Sequence, residues 1–337
     1  MTLKVYPLNI KQKDLAARAH QYRHLLSERD AGYREPARAL YDLLLQPARE
    51  QLRGKTALII VPDGALWELP FQALLSAENR HLIEDHAISY APSLTVLCEM
   101  IKARSKGQGG GAAPATLLAF GNPALGKTIV ERVKLARRDE QLDPLPEAEQ
   151  EVKAIGRLYG AGRSQVYTGA QASEALMKAK AGSYRILHLA THAILNDTSP
   201  MYSHVLLSQA GTNRDEDGLL EAWEIMNLNL QADMVVLSAC ETARGRIGAG
   251  EGVIGLTWAL FVAGAPTTVV SLWKVESAST TELMVEFHRQ LQAKRQDGKP
   301  RVTKAEALRQ ASLKLMKQSR SRHPFYWAAF VVVGDGE

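Results

Sequence analysis

The sequence has few of the residues that mark several common protein classes. Only two of its 337 residues are cysteines, Cys98 and Cys240, too few for a disulfide scaffold or a four-thiolate zinc site. No apolar run reaches the roughly 18 to 20 residues that a membrane span needs, and residues 1–13 contain no apolar signal-peptide core. These absences predict a cytoplasmic protein with reduced thiols, no membrane association, no metal and no cofactor.

An excess of charge of one sign is also missing. Lys and Arg number 41 against 36 Asp and Glu, which gives a net charge of +5, and 46% of the residues are hydrophobic. This composition supports a substantial core and excludes disorder as the main state. Between Arg301 and Arg322 seven basic residues face one acid, Glu306. We interpret that run as a solvated helix face, and we do not expect direct nucleic-acid binding.

A glycine-rich stretch divides the chain. Residues 106–114 contain too many glycines to hold a helix or strand, so they form a linker. Before it, residues 1–55 show helical periodicity, typical of a docking hairpin or of the last helices of a repeat array, and residues 56–105 form an α/β part. After it, residues 115–337 form the main domain. Within them, the charged residues 124–144 are predicted to be a mobile loop, a lid or a site of self-cleavage.

Short apolar runs alternate with helical patterns through the main domain. Their near-continuous Val, Ile and Leu content predicts strands that are covered on both faces, and hence an open, mostly parallel sheet sandwiched by helices. The predicted strands are 57–61, 87–90, 116–120, 185–190, 205–207, 234–238, 267–273 and 328–333. The predicted helices after residue 90 are 93–101, 147–159, 221–226, 252–263, 279–293 and 303–319.

Two of the predicted strands end in residues typical of nucleophilic catalysis. His192 follows one strand and Cys240 follows another. In open α/β sheets ligands bind beyond the carboxyl ends of the strands, so a thiol and an imidazole there can act as nucleophile and proton carrier. The pattern alone leaves this pair and a structural role for Cys240 equally open. We expect Cys98 and His188 to be core residues.

A dense series of motifs resembles the CHAT domain, a branch of the caspase-like cysteine peptidases that includes relatives of separase. The series in the second half is Leu187-His-Leu-Ala-Thr-His192, Ser199-Pro-Met-Tyr-Ser203, Asp217-Gly-Leu-Leu-Glu-Ala-Trp-Glu224, Val236-Leu-Ser-Ala-Cys-Glu-Thr242, Gly250-Glu-Gly-Val-Ile-Gly-Leu256, Phe261-Val-Ala-Gly-Ala265, Val270-Ser-Leu-Trp-Lys-Val275 and His323-Pro-Phe-Tyr-Trp-Ala-Ala-Phe330. The upstream members are Ile60-Val-Pro-Asp-Gly64, Leu69-Pro-Phe71, Phe120-Gly-Asn-Pro123 and Leu145-Pro-Glu-Ala-Glu149. The resemblance covers about residues 56 to 335 and implies a caspase-like fold.

The resemblance also implies roles for individual residues. His192 corresponds to the catalytic histidine and Cys240 to the nucleophile. The main-chain N–H groups of Ala193 and Cys240 correspond to the oxyanion hole. The family usually has Gly after the histidine, so Ala193 fits if its φ is negative.

The resemblance gives weaker guidance on the residues that bind substrate. The segment Ser271-Leu272-Trp273-Lys274 resembles the Ser-Trp-Arg segment along which caspases bind substrate as an added strand. Trp273 is the candidate pocket wall, and Ser238 is a further candidate substrate contact. Glu276 and Ser277 stand where relatives often carry a pair of Asp residues, which weakens any transfer of specificity.

The sequence therefore predicts a cysteine endopeptidase that cleaves a specific protein substrate through a Cys-His dyad and is activated by a partner protein or an upstream sensor. The alternative is a catalytically silent caspase-like adaptor or scaffold in a signalling complex. In either case, one interpretation of the α/β part at residues 56–105 is an inactive caspase-like half.

Overall fold

One eight-stranded sheet with helices on both faces organises the computed structural model, which describes residues 3–107, 115–136, 142–196, 198–209, 216–238, 251–293 and 302–337. The helices are α1 Gln12–Ser27, α2 Arg34–Leu44, α3 Arg49–Leu52, α4 Leu82–Asp85, α5 Leu94–Gly107, α6 Lys127–Ala136, α7 Pro146–Tyr159, α8 Glu174–Lys180, α9 Ala222–Ile225, α10 Glu251–Val262, α11 Ser277–Gln292 and α12 Lys304–Met316. The strands are β1 Ala57–Ile60, β2 Ala87–Tyr90, β3 Ala115–Pro123, β4 Ser164–Gly169, β5 Tyr184–Ala190, β6 Ala193–Ile194, β7 His204–Leu206, β8 Leu219–Glu221, β9 Met234–Leu237, β10 Thr267–Ser271 and β11 Phe330–Gly334.

The strand order in the large sheet is β1-β2-β11-β10-β9-β5-β3-β4. All neighbouring pairs are parallel except β10 and β11. That pair separates a first strand set (β1, β2 and β11) from a second strand set (β3, β4, β5, β9 and β10). The carboxyl ends of the two sets therefore lie at opposite edges of the sheet. This arrangement confirms the predicted mostly parallel sheet sandwiched by helices.

The two parts of the chain on either side of residues 106–114 share this sheet. β2 pairs with β11, so the α/β part at residues 56–105 continues the sheet of the main domain. The buried amide of Gln72 also donates to the carbonyl of Ala328 at 2.6 Å. One cluster of buried apolar side chains runs through both parts.

A small antiparallel sheet, β6-β7-β8, follows the end of β5. Helix α6 packs on it, and Ile129 and Val133 of the helix join Ile194, Leu206 and Leu219 in a separate apolar cluster. Sequence patterns did not predict α6, which lies inside the charged segment 124–144. Its residues 127–136 are helical here, and residues 137–141 lie outside the described part of the chain.

The prediction for Cys98 is wrong. It lies on the exposed side of α5 with Leu94 and Ile101, whereas Leu97 and Met100 of the same helix are buried. All five are apolar, so the periodicity of α5 did not distinguish its buried side from its exposed side. The prediction that His188 is a core histidine is confirmed, because its side chain is fully buried and hydrogen-bonded on both ring nitrogens.

Candidate active site

His192 lies two residues past the end of β5, at the carboxyl edge of the second strand set. Its side chain is almost fully buried, with 9% of the residue exposed, and its Nε2 lies 2.9 Å from the carbonyl oxygen of Asp143. A carbonyl oxygen can only accept, so Nε2 carries a hydrogen in this contact. The neutral imidazole then has its lone pair on Nδ1, which is the nitrogen able to take a proton from a nucleophile.

Asp143 was not among the predicted site residues. Its contribution is a main-chain oxygen, and a main-chain contact leaves no side-chain signature in the sequence. The nearest signal is its place in the charged segment 124–144, for which the sequence suggested a lid. In the structure, this segment contacts His192 through the carbonyl of Asp143.

Strand β9 lies beside β5 and leads toward Cys240. The two strands are parallel, with Leu189 opposite Leu237. Ser238 follows directly, buried at 7% exposure, and its hydroxyl has no hydrogen-bond partner among the described residues. Cys240 itself lies outside the described residues, three positions after Leu237, just as His192 lies three positions after Leu189.

The main-chain N–H of Ala193 points away from the small sheet. The bond from the Leu206 N–H to the His192 carbonyl, at 2.8 Å, makes Ala193 and Val205 a pair that exchanges no ladder hydrogen bonds. Since β6 is an edge strand, the N–H of Ala193 faces away from β7. Its φ is not positive, so alanine fits here without backbone strain.

The segment predicted to bind substrate is largely buried and hydrogen-bonded to other parts of the protein. Ser271 is fully buried and lies opposite Phe330 in the β10–β11 pair. Both main-chain polar groups of Leu272 are hydrogen-bonded: its N–H donates to the carbonyl of Ala329 at 2.8 Å, and its carbonyl accepts from Nε of Arg23 at 3.2 Å. Trp273 is 2% exposed and donates its indole N–H to Phe325. Of the four predicted residues only Lys274 is exposed.

A chain of buried polar side chains lies under β5. Glu151 of α7 contacts Nε2 of His188 at 2.8 Å, and Nδ1 of His188 contacts Nε2 of His288, from α11, at 3.0 Å. The hydroxyl of Tyr159 contacts Nδ1 of His288 at 2.9 Å. All four residues are at most 2% exposed. Burial, and then the charge of His188, hold the pKa of His288 well below its ordinary value, so its imidazole is neutral at pH 7.

Three of the basic residues near the C-terminus are hydrogen-bonded or paired within the protein. Arg309 donates to the carbonyls of Ile83 and Glu84, Lys314 pairs with Glu286, and Arg320 pairs with Glu282. This pairing supports their interpretation as an ordinary helix face. Within the described ranges, no helix is long and apolar enough to cross a membrane. The same ranges contain no group of three His, Cys, Asp or Glu side chains that could hold a metal.

In sequence, the chain is similar to a tetratricopeptide repeat protein of two mammals. The chain is 27% identical to human tetratricopeptide repeat protein 28 and 26% identical to the mouse protein (Mus musculus), in each case over 89% of this chain but only 13% of the relative. The chain thus spans about an eighth of the length of these relatives.

Among solved structures, gingipain R, an Arg-specific cysteine proteinase, matches 86% of this chain and 66% of its own, with a TM-score of 0.56 and 11% identity. Separase in the Saccharomyces cerevisiae separase–securin complex matches 82% of this chain and 15% of its own, with a TM-score of 0.50 and 13% identity. At these identities the likeness concerns the fold, which is that of caspase-like cysteine peptidases. The family model of the CHAT domain matches residues 34–335, nearly the whole chain, and the protein therefore belongs to the CHAT domain family.

Proposed function

We propose that this protein is a cysteine endopeptidase whose nucleophile is Cys240 and whose proton carrier is His192. The observation that carries the proposal is the state of His192, at the end of β5, with Nε2 bonded to the Asp143 carbonyl. That bond turns Nδ1 into the basic nitrogen. The parallel register of β5 and β9 supports a position for Cys240 at the same edge of the sheet.

In the proposed reaction, His192 transfers a proton at each step. Nδ1 of His192 takes the proton of the Cys240 thiol, and the resulting thiolate attacks the carbonyl carbon of the scissile peptide bond. The N–H groups of Ala193 and Cys240 stabilise the oxyanion. The imidazolium returns its proton to the amine as the C–N bond breaks. A water molecule then attacks the thioester, giving its proton to His192, and the thiol is regenerated as the acid leaves. Throughout, the Asp143 carbonyl stabilises the charged ring.

We propose a protein substrate and a regulatory protein partner. The fold neighbour separase was solved in complex with securin, and the curated relatives are named for tetratricopeptide repeats. Both facts support control by another protein or by another part of a longer chain. A cytoplasmic location suits a thiol that must stay reduced to act.

The decisive experiment compares three variants on a peptide library. Cys240→Ala and His192→Ala should each lower turnover by about 10³-fold or more, because thiolate and base act as a unit. Cys98→Ala is the matched control, since it removes the other thiol of the chain, which is exposed on α5. Cleavage by Cys240→Ala at the wild-type rate would refute the assignment.

The silent adaptor is the second candidate, and one observation favours it. The Leu272 main chain is engaged on both sides and Trp273 is buried, so the segment predicted to receive substrate offers little accessible surface. An acyloxymethyl-ketone peptide probe separates the two candidates. Labelling of the wild type but not of Cys240→Ala supports the peptidase, and no labelling with or without candidate partners supports the adaptor.

A further inference from the structure

The carboxyl end of β3 has an irregular backbone at Asn122. The ladder between β3 and β4 pairs Gly121 with Thr168 and then Pro123 with Gly169, so its register shifts at Asn122. Asn122 has φ +47°, in the left-handed region that asparagine tolerates better than most residues. A bulge of this kind redirects a side chain out of the sheet.

The redirected side chain binds the start of α7. The Asn122 amide oxygen accepts the N–H of Leu145 at 2.7 Å, and its amide nitrogen donates to the carboxylate of Glu149 at 3.2 Å. Leu145 is the residue just before α7, and it has no capping bond of its own from its side chain. Asn122 therefore caps this helix from a neighbouring strand.

The same few residues carry the oxygen that holds His192. Asp143 and Leu145 are separated by Pro144, and Pro146 follows as the first residue of α7. Each proline fixes its own φ and restricts the residue before it, so this segment is stiff. A bond that fixes the N–H of Leu145 thus also fixes the direction of the Asp143 carbonyl. On the other side, Leu142 packs against the apolar cluster of α6 and the small sheet.

We propose that Asn122 is a positioning residue for His192, acting through Leu145 and the Asp143 carbonyl. Its side chain bonds Leu145 and Glu149 rather than the imidazole, and through Leu145 it sets the hydrogen bond that selects the reactive tautomer. This inference rests on the proposed function for its effect on turnover. The predicted effect of Asn122 on the protonation of the His192 ring is independent of that function.

Two substitutions separate the two bonds of Asn122. Asn122→Gly keeps the left-handed backbone and removes both bonds. Asn122→Asp keeps an acceptor for the Leu145 N–H but places a carboxylate opposite Glu149 instead of a donor. Asn79→Gly is the matched control, since Asn79 also has a positive φ of 59° but bonds Arg38 of α2.

In a kinetic assay we expect Asn122→Gly to lower kcat by about 10- to 100-fold, the size expected when a catalytic group is misplaced by about 1 Å. KM should stay within about twofold, because the residue does not contact substrate. Asn122→Asp should fall between Asn122→Gly and the wild type. Asn79→Gly should leave both parameters unchanged. Equal kcat values in all four proteins would overturn the proposal.

A second measurement does not need activity. Nitrogen-15 NMR of histidine-labelled protein, with the His192 signals assigned by their loss in His192→Ala, reports which ring nitrogen is protonated. The wild type should show protonated Nε2, and Asn122→Gly should show a mixture of tautomers or a shifted pKa. An unchanged His192 ring in Asn122→Gly refutes the inference even if the peptidase is active. A changed ring in a protein without peptidase activity supports the inference while the proposed function fails.

Discussion

The two strand sets of the large sheet are built alike but end differently. In the second strand set, β5 and β9 are followed within three residues by His192 and Cys240. In the first strand set, the three residues after β1, β2 and β11 contain neither His nor Cys. Because the antiparallel pair of β10 and β11 reverses the direction of the strands, these ends also lie at opposite edges. The first set thus extends the core, whereas the second set carries the candidate chemistry.

The largest effect on stability is expected in the second set, at Gly121. A Cβ there would lie 2.6 Å from Cγ2 of Val152 and 2.8 Å from the carbonyl of Ala148, so α7 would have to move. Gly121→Ala should lower the free energy of unfolding by about 3 kcal/mol, the upper end for overpacking. Urea unfolding measures this loss of stability.

Gly162→Ala is the control, since nothing lies within 4 Å of its Cβ position. It should remain within about 1 kcal/mol of the wild type. Equal losses for the two variants would show that α7 does not sit tightly on β3.

The second prediction concerns Lys178, which lies among three carboxylates near the second set. Its Nζ is 2.7 Å from Glu174, 2.8 Å from Glu224 and 3.2 Å from Glu216. Burial alone would lower the pKa of Lys178, but the hydrogen bonds that its ammonium donates to Glu174 and Glu224 raise it above its ordinary value. Lys178→Met leaves the buried Glu174 without its cation and should cost about 2 kcal/mol, somewhat less than for a fully buried pair.

Lys102→Met provides the comparison for that variant. Lys102 pairs with Glu99 and is 64% exposed, so its loss should cost less than about 0.5 kcal/mol. Hydrogen exchange should also show faster opening of residues 216–218 in Lys178→Met alone. Faster exchange there in both variants would argue against Lys178 as the anchor of that segment.

The third prediction tests the first strand set directly. The buried hydroxyl of Tyr90 donates to the Leu69 carbonyl at 2.9 Å and accepts the Phe71 N–H at 3.0 Å. Tyr90→Phe should therefore cost about 1 to 2 kcal/mol in thermal or denaturant unfolding. It should leave kcat unchanged, because the first set does not carry the candidate chemistry. A loss of kcat as large as that of Asn122→Gly would show that the first set also shapes the candidate site.

The smallest prediction is a pH effect from the buried chain under β5. His288 has a depressed pKa when folded and its ordinary value of about 6.5 when unfolded. The unfolded state therefore binds more protons below about pH 6.5, so the stability that neutral His288 contributes above that pH is lost as the pH falls. Between pH 7 and 5.5 the loss should be about 1 kcal/mol.

His288→Gln should reduce that pH dependence, as measured by unfolding at the two pH values, regardless of its effect on the free energy of unfolding at pH 7. His24→Gln, a change at an exposed position on α1, should not. The groups that face His288 are His188, Glu151 through His188, and Tyr159. An unchanged pH dependence in His288→Gln would mean that another of these groups carries it.

The central strands were predictable, whereas three of the peripheral strands, β4, β6 and β8, were not. β5, β9 and β10 are largely buried, so apolar residues occur on both faces of each strand. β9 is apolar throughout, whereas β5 and β10 also contain polar residues, and each still shows enough apolar character to be recognised in the sequence. β4 lies at the sheet edge, and its sequence, Ser164-Gln-Val-Tyr-Thr-Gly169, has no such run. Strands β6 and β8 have two and three residues, too few for a periodic signal, and exist because they pair with β7.

The candidate site was predictable only where side chains carry the chemistry. His192 follows a strand and stands in a recognisable motif, so pattern and resemblance agree on it. Asn122 was visible in the motif Phe120-Gly-Asn-Pro123, but its role depends on a bulge and on a helix 23 residues away. Asp143 contacts His192 through its main-chain carbonyl, a group that every residue possesses.

The sheet-and-helix architecture, the family resemblance and the candidate histidine follow from the amino-acid sequence, because burial periodicity and reactive side chains are properties of residue types. Only the folded structure shows which strand ends share an edge, which carbonyl contacts the imidazole and which asparagine bonds the start of α7 beside that carbonyl. These depend on contacts between residues far apart in the chain, where backbone groups common to all residues acquire their function from position alone.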